Sequence, residues 1–295
     1  MPNIDYQPPV SELLTYGRPK EGSRDRWFDY VDAYGLTTEH IPSLIRLASE
    51  ENLNWEDEVE CYAPVHAFRA LGQLKAETAI QPLIDLLSHE DDDWFMEELP
   101  RVFGMIGLAC IPKLTDYLTV SQSGCWSKTA AADGLAKIAT SHPDHRDECV
   151  QILAQALARH GQQEAELNGS LVAKLLELNA VEAVGIIEKA YKEGPMDEMI
   201  CGSLAMVKIS LGFDSAEDFT PEELQFKQPE WMKPIQEMAA TLELLSSHSP
   251  KESAKSKGLS LPSFGPKGLS PINPQPLKPK SGFGSQQPKK KKKKR

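Results

Sequence analysis

Three kinds of side-chain pattern in this sequence could carry chemistry. His142, His145 and Cys149 form His-x-x-His-x-x-x-Cys. Spacings of three and four place such residues on one helix face, where imidazole nitrogens and a thiolate can hold a zinc ion. Pro143 and Asp144 interrupt the start of that run, and Ser141 or Asp144 reads as a helix cap. The expectation is therefore no metal and no cofactor. The second pattern is acidic and aromatic. Glu56, Asp57 and Glu58 follow Trp55, and Asp91, Asp92 and Asp93 precede Trp94, with Glu97 and Glu98 one turn on. Carboxylates beside indole faces suit a cation or a basic peptide. The Asp91–Asp93 run lacks the glycine and the terminal glutamate of a calcium loop. The third pattern is Lys289, Lys290, Lys291, Lys292, Lys293, Lys294 and Arg295, seven consecutive bases that can bind a polyanion by counterion release. Phe264 and Phe283 lie far from the run, so base stacking is not supported. No Gly-rich phosphate loop, nucleophile elbow or Cys/His pair in a recognisable context occurs, and no residue is assigned as catalytic.

Charge divides the chain that carries these patterns. The 295 residues have a formal net charge of −11. Residues 246–295 hold thirteen basic residues and one acid, Glu252, for a net of +12, so the first 245 residues carry −23. The body is long enough to bury a full core. Its 40% hydrophobic content excludes a wholly disordered or collagen-like chain. Five cysteines, an odd number without Cys-x-x-Cys spacing, argue against a disulfide framework and a four-cysteine zinc site. The polar start, Met1 to Val10, lacks the pattern of a signal peptide. The longest nearly apolar stretch, Val102 to Pro112, is too short to span a bilayer. A cytoplasmic protein with no membrane span is expected.

The elements that must position these residues are helices. Apolar side chains recur at three and four, as in Ile41, Leu44, Ile45 and Ala48, and in Ile80, Leu83, Ile84 and Leu87. The helical segments also repeat. Tyr62, Trp94 and Trp126 are 32 residues apart, as are Gly72, Gly104 and Ala136. A further copy is offset by 104, matching Leu74 with Leu178 and Ala79 with Ala183. Each unit reads as helix, tight turn, helix. A lone helical hairpin cannot bury its apolar face, whereas stacked neighbours can. Gly72 and Gly104 suit either a positive φ at the end of the first helix or a close helix approach. Pro82 and Pro112 suit the opening of the second helix. The strict aromatic spacing predicts that Tyr62, Trp94 and Trp126 pack in the core between hairpins. Arg69 and Arg101 hold equivalent positions, and with Asp85 and Asp116 they are expected to tie neighbouring repeats.

The stretch ALGQLKAETAIQPLIDLL resembles a HEAT-like repeat of the short type found in phycobilisome-lyase-like proteins. Ala70, Leu71, Gly72, Ala76, Ala79, Ile80, Pro82, Leu83 and Leu87 fill that pattern, and Phe103, Gly104, Ala109, Ile111, Pro112, Leu114 and Leu118 fill a second copy. The resemblance covers roughly residues 35–210. It implies an all-α, HEAT-like solenoid of about five helical hairpins with a disordered basic C-terminal tail. Residues 1–34 read as N-terminal flanking helices and 35–210 as the repeats. Residues 211–245 read as a capping helix, with Trp231, Ile235, Met238, Leu242 and Leu245 at helical spacing. Residues 246–295 read as the tail, whose composition cannot offset the entropy of ordering.

The expected function is a non-enzymatic scaffold, adaptor or assembly factor. It would bind a protein with a basic or helical surface on the acidic, aromatic edge. Two alternatives stand beside it. The resemblance allows a bilin lyase-like enzyme or chaperone of phycobiliprotein assembly, which a spectral shift of added free bilin would reveal. The Lys run allows association with nucleic acid or the ribosome, or binding back onto the acidic body.

Overall fold

A computed structural model describes residues 6–19, 27–50, 59–89, 93–120 and 122–227, with the single positions 232, 234 and 238. Among the described residues every regular element is helical and no strand occurs. The helices are α1 (Tyr30–Tyr34), α2 (Ile41–Ala48), α3 (Ala63–Gln73), α4 (Ile80–Asp85), α5 (Asp93–Ile106), α6 (Ile111–Val120), α7 (Cys125–Ser141), α8 (Arg146–Leu157), α9 (Ala165–Glu177), α10 (Val184–Glu193), α11 (Glu198–Cys201) and α12 (Leu204–Ser210). No described helix is long and apolar enough to cross a membrane.

The helices pack in two rows. In one, α3 contacts α5, α5 contacts α7, α7 contacts α9 and α9 contacts α11. In the other, α4 contacts α6, α6 contacts α8, α8 contacts α10 and α10 contacts α12. The apolar spacing explains this. Each first helix buries its stripe against the next first helix and its own partner. Phe68, Leu71, Leu83 and Leu87 of one hairpin and Leu99, Phe103, Leu114 and Leu118 of the next are fully buried. Each such side chain contributes about 1.5–3 kcal/mol by leaving water.

The repeat-position glycines serve approach rather than backbone conformation. Gly104 lies inside α5, where an added Cβ would sit 2.8 Å from Lys137 Cβ on α7. Gly72 lies inside α3, and its added Cβ would meet Val102 at 3.3 Å. The positive φ falls three residues later, at Lys75 (50°), Gly107 (94°) and Asn179 (49°). Those positions share the 32- and 104-residue offsets of the sequence repeat. A short 3-10 turn follows each of them, at Glu77–Ala79, Leu108–Cys110 and Val181–Ala183, and leads into the second helix.

Polar ties join successive hairpins. Arg146 on α8 donates to the carbonyls of Leu178 (2.9 Å) and Asn179 (2.9 Å) and pairs with Glu182 (2.7 Å) in the next hairpin turn. Arg159 donates to the C-terminal carbonyls of α6 at Thr119 (2.5 Å) and Leu118 (3.3 Å). Lys174 on α9 pairs with Asp133 on α7 at 2.7 Å. Arg69 does join α3 to α5, but through Glu98. The expected aspartates are not its partners: Asp85 is exposed and accepts from Gln81 at 2.9 Å, and Asp116 is exposed.

The ends are closed by irregular segments. Near the N-terminus a 3-10 turn at Val10–Thr15 and α1 pack on α3. Tyr30 Oη lies 2.7 Å from His66 Nδ1, and His66 Nε2 donates to the Gly17 carbonyl at 2.7 Å. After α12, residues 211–227 form turns and one 3-10 element, Ala216–Asp218. They dock through Ser203 Oγ to the Glu223 carbonyl (2.7 Å) and Lys227 N–H to Glu198 (2.7 Å). Trp231, Ile235, Leu242 and Leu245 of the expected capping helix, and the whole 246–295 tail, lie outside the described residues.

Candidate functional site

The row α3, α5, α7, α9 brings the first turns of successive first helices to one edge, where the repeat aromatics stand. Tyr62 immediately precedes α3, Trp94 is the second residue of α5 and Trp126 the second of α7. Tyr62 and Trp94 are half-buried and meet edge to face, with ring centroids 6.0 Å apart. Trp126 departs from the core packing that its spacing predicts, for it is 52% exposed. Its neighbours carry the burial instead: Ser127 is buried and donates to the Leu87 carbonyl at 2.7 Å, and Cys125 is half-buried.

The acids on this edge sort by helical phase. Glu97 is exposed, whereas Glu98, one residue on, turns inward with Trp94 four positions earlier. Glu98 is 6% exposed and accepts from Arg69 Nε (3.1 Å) and from a terminal guanidinium nitrogen. The expectation that Glu98 faces a partner is therefore corrected: it is an interior tie between α3 and α5. Asp93 opens α5. Trp55, Glu56, Asp57, Glu58, Asp91 and Asp92, and Lys289 to Arg295, lie outside the described residues.

Two further acids join the edge from α9. Glu164 sits at the N-cap position of that helix and Glu166 lies in its first turn, and both are exposed. They lie close enough to Cys125 to act on its thiol. Burial, a hydrogen bond with Glu164 and the charges of Glu164 and Glu166 together push that thiol up to about 12. The sequence held a usable signal for them, since acids in a first turn suit the positive end of the helix dipole. The edge thus carries an exposed indole on α7 and exposed carboxylates on α5 (Glu97) and α9 (Glu164 and Glu166).

The remaining patterns do not converge. His145 is paired with Glu148 at 3.0 Å on the surface, the His142 ring packs over Gly107, and Cys149 is buried. Burial, with a smaller contribution from Glu148, pushes the Cys149 thiol up to about 11. Among the described residues no group of three or more His, Cys, Asp or Glu could hold a metal ion. A shallow groove of about 590 Å³ lies between α8 and the next hairpin turn, lined by Arg146, Asp147, Val150, Gln151, Ala154, Glu182 and Ala183. The Arg146 guanidinium at its rim is committed to Glu182, Asp147 and two carbonyls.

Comparison with known proteins places most of the chain in one group. A family model described as "Protein of unknown function (DUF1186)" matches residues 33–238. No curated protein and no solved structure matches the chain.

Proposed function

We propose that this chain, which belongs to the DUF1186 family, is a non-enzymatic cytoplasmic scaffold built as a HEAT-like solenoid. It docks a protein with a basic surface on the edge formed by the first turns of α3, α5, α7 and α9. The solenoid reading is supported by the two helix rows and by left-handed turn residues at Lys75, Gly107 and Asn179. The observation that carries the docking reading is Trp126. A large indole 52% exposed at the start of α7, whose preceding residue Cys125 lies near Glu164 and Glu166, is costly to leave in water and suited to a cation. Interface anchors are enriched in such residues, with charged groups arranged around them. An arginine or lysine of the partner would stack on Trp126 while Glu164, Glu166 and Glu97 steer its approach.

The test is retention of partners by the full chain at low and high salt. Exposed charges separated by more than about 8–10 Å are screened in ordinary buffer, so retention should weaken as salt rises. Trp126→Ala should weaken it at every salt concentration, because loss of stacking is not a screening effect. Salt-independent retention, or wild-type retention by Trp126→Ala, would count against the edge.

A further inference from the structure

A second surface, on α3 and α5 beside the N-terminal segment, holds an extended stretch of the chain at the margin of the core, with Trp27 partly buried against it and Phe28 exposed. The half-buried Trp27 indole packs against two guanidiniums, with Arg69 Cζ 5.0 Å and Arg101 Cζ 4.4 Å from the ring. Arg69 and Arg101 are 32 residues apart, so neighbouring helices build this slot from equivalent positions. One residue further on, a side-chain amide grips the main chain. Gln73 Nε2 donates to the Phe28 carbonyl at 2.7 Å, and Gln73 Oε1 accepts the Tyr30 N–H at 2.9 Å. Asp29 between them is extended, with φ −83° and ψ 92°.

The two contacts divide the work of recognition. The Gln73 amide bonds are indifferent to side chains, and the guanidinium slot selects an aromatic ring by cation–π attraction. The present occupant fits the slot imperfectly, because the Trp27 indole N–H is buried without an acceptor. The surface also continues past it. Met105, one turn beyond Arg101, is exposed, and an ionic ladder of Asp133, Lys137, Lys174 and Glu177 runs across α7 and α9.

We infer that this α3–α5 face binds an extended segment of a partner protein carrying an aromatic side chain, and that residues 27–30 occupy it in cis as an internal competitor. The site is separate from the acidic edge and does not rest on it. A phenyl or phenol ring suits the slot better than indole, since the slot offers no acceptor to the indole N–H. Tyr30, buried and bonded to His66, anchors the competitor, so that displacement of residues 27–29 frees the guanidiniums and Gln73 Nε2 while Gln73 Oε1 keeps the Tyr30 N–H.

The probe is a fluorescein-labelled synthetic peptide of residues 27–34 carrying Trp27→Phe, titrated against the full chain by anisotropy. Trp27→Ala in the full chain should bind it at least about tenfold tighter than the wild type, because the competent state is no longer masked. Adding Gln73→Leu should remove that gain. Equal affinities for wild type and folded Trp27→Ala would overturn the inference. A second measurement does not depend on that variant folding. In the ¹⁵N-labelled wild-type chain, the Trp27 indole resonance, assigned by its loss in Trp27→Phe, should move as unlabelled peptide is added to about 1 mM, the upper end of weak binding. A resonance that stays fixed there would overturn the inference equally.

Discussion

Replacing Glu98 with Gln tests whether this residue is an interior tie or part of a docking edge. Its carboxylate is 6% exposed and accepts two N–H groups from Arg69, which is equally buried. Opposite charges about 4 Å apart attract by about 4 kcal/mol at an effective dielectric constant near 20. Removing one partner of such a pair typically costs about 3–5 kcal/mol, because the other charge stays buried. Glutamine keeps one acceptor oxygen, so Glu98→Gln should cost about 3 kcal/mol, the lower end of that range. Urea unfolding followed by far-UV circular dichroism measures this, with an unchanged m value identifying a loss of native-state stability. The double variant Arg69→Met, Glu98→Leu removes both charges and should recover much of the loss. It forfeits only about 0.5–1 kcal/mol of Arg69 stacking on Trp27. Partner retention by folded Glu98→Gln should match the wild type. The reasoning is refuted if Glu98→Gln lies within about 0.5 kcal/mol of the wild type, the range of ordinary surface changes. It is refuted equally if that variant keeps its stability and loses its partner.

Other perturbations read other parts of the molecule. His66 is held down to about 4 by burial, with the Arg69 charge adding and the Gly17 carbonyl opposing. Its unfolded value is near 6.5, so the unfolded state binds more protons between those values and stability is lost as pH falls from 6.5 towards 4. The loss should total about 3 kcal/mol in urea titrations across that range, and His66→Gln should flatten the slope. Gly104→Ala should destabilise by about 1–3 kcal/mol in thermal unfolding despite better helix propensity, because its Cβ meets Lys137. Gly185→Ala, with open space around it on α10, should instead stabilise by up to about 1 kcal/mol. Any RNA retained at low salt in a filter-binding assay should be released by deleting residues 289–295, since the −23 body repels phosphate. Retention that survives the deletion would assign RNA binding to the body.

The helical class and the repeat period were legible because both follow from local spacing. Apolar residues at three and four place Leu44 and Ala48, and Leu83 and Leu87, on the buried faces where they are found. The dual reading of Gly72 and Gly104 left open which constraint applied, since positive φ and close approach both favour a missing Cβ. Close approach operates, and the left-handed position falls at Lys75 and Asn179, whose side chains give no such signal. Side-chain direction at the edge was less legible. Glu97 and Glu98 are adjacent acids in sequence, yet one helical step of about 100° separates solvent from an arginine on the preceding helix. Trp126 shares a register with Tyr62 and Trp94, but register alone does not say whether a next hairpin covers a side chain. Glu164 and Glu166 join the edge by contact across the row, which spacing within one helix cannot reveal.

The docking edge is tested most directly by comparing two proteins in one pull-down: the wild-type chain and the triple variant Trp126→Ala, Glu164→Gln, Glu166→Gln. These side chains are exposed, so circular dichroism should show both folded alike. The account predicts that the wild type retains a basic protein partner at low salt, releases part of it at high salt, and that the triple variant retains none. Equal retention by both proteins would contradict it.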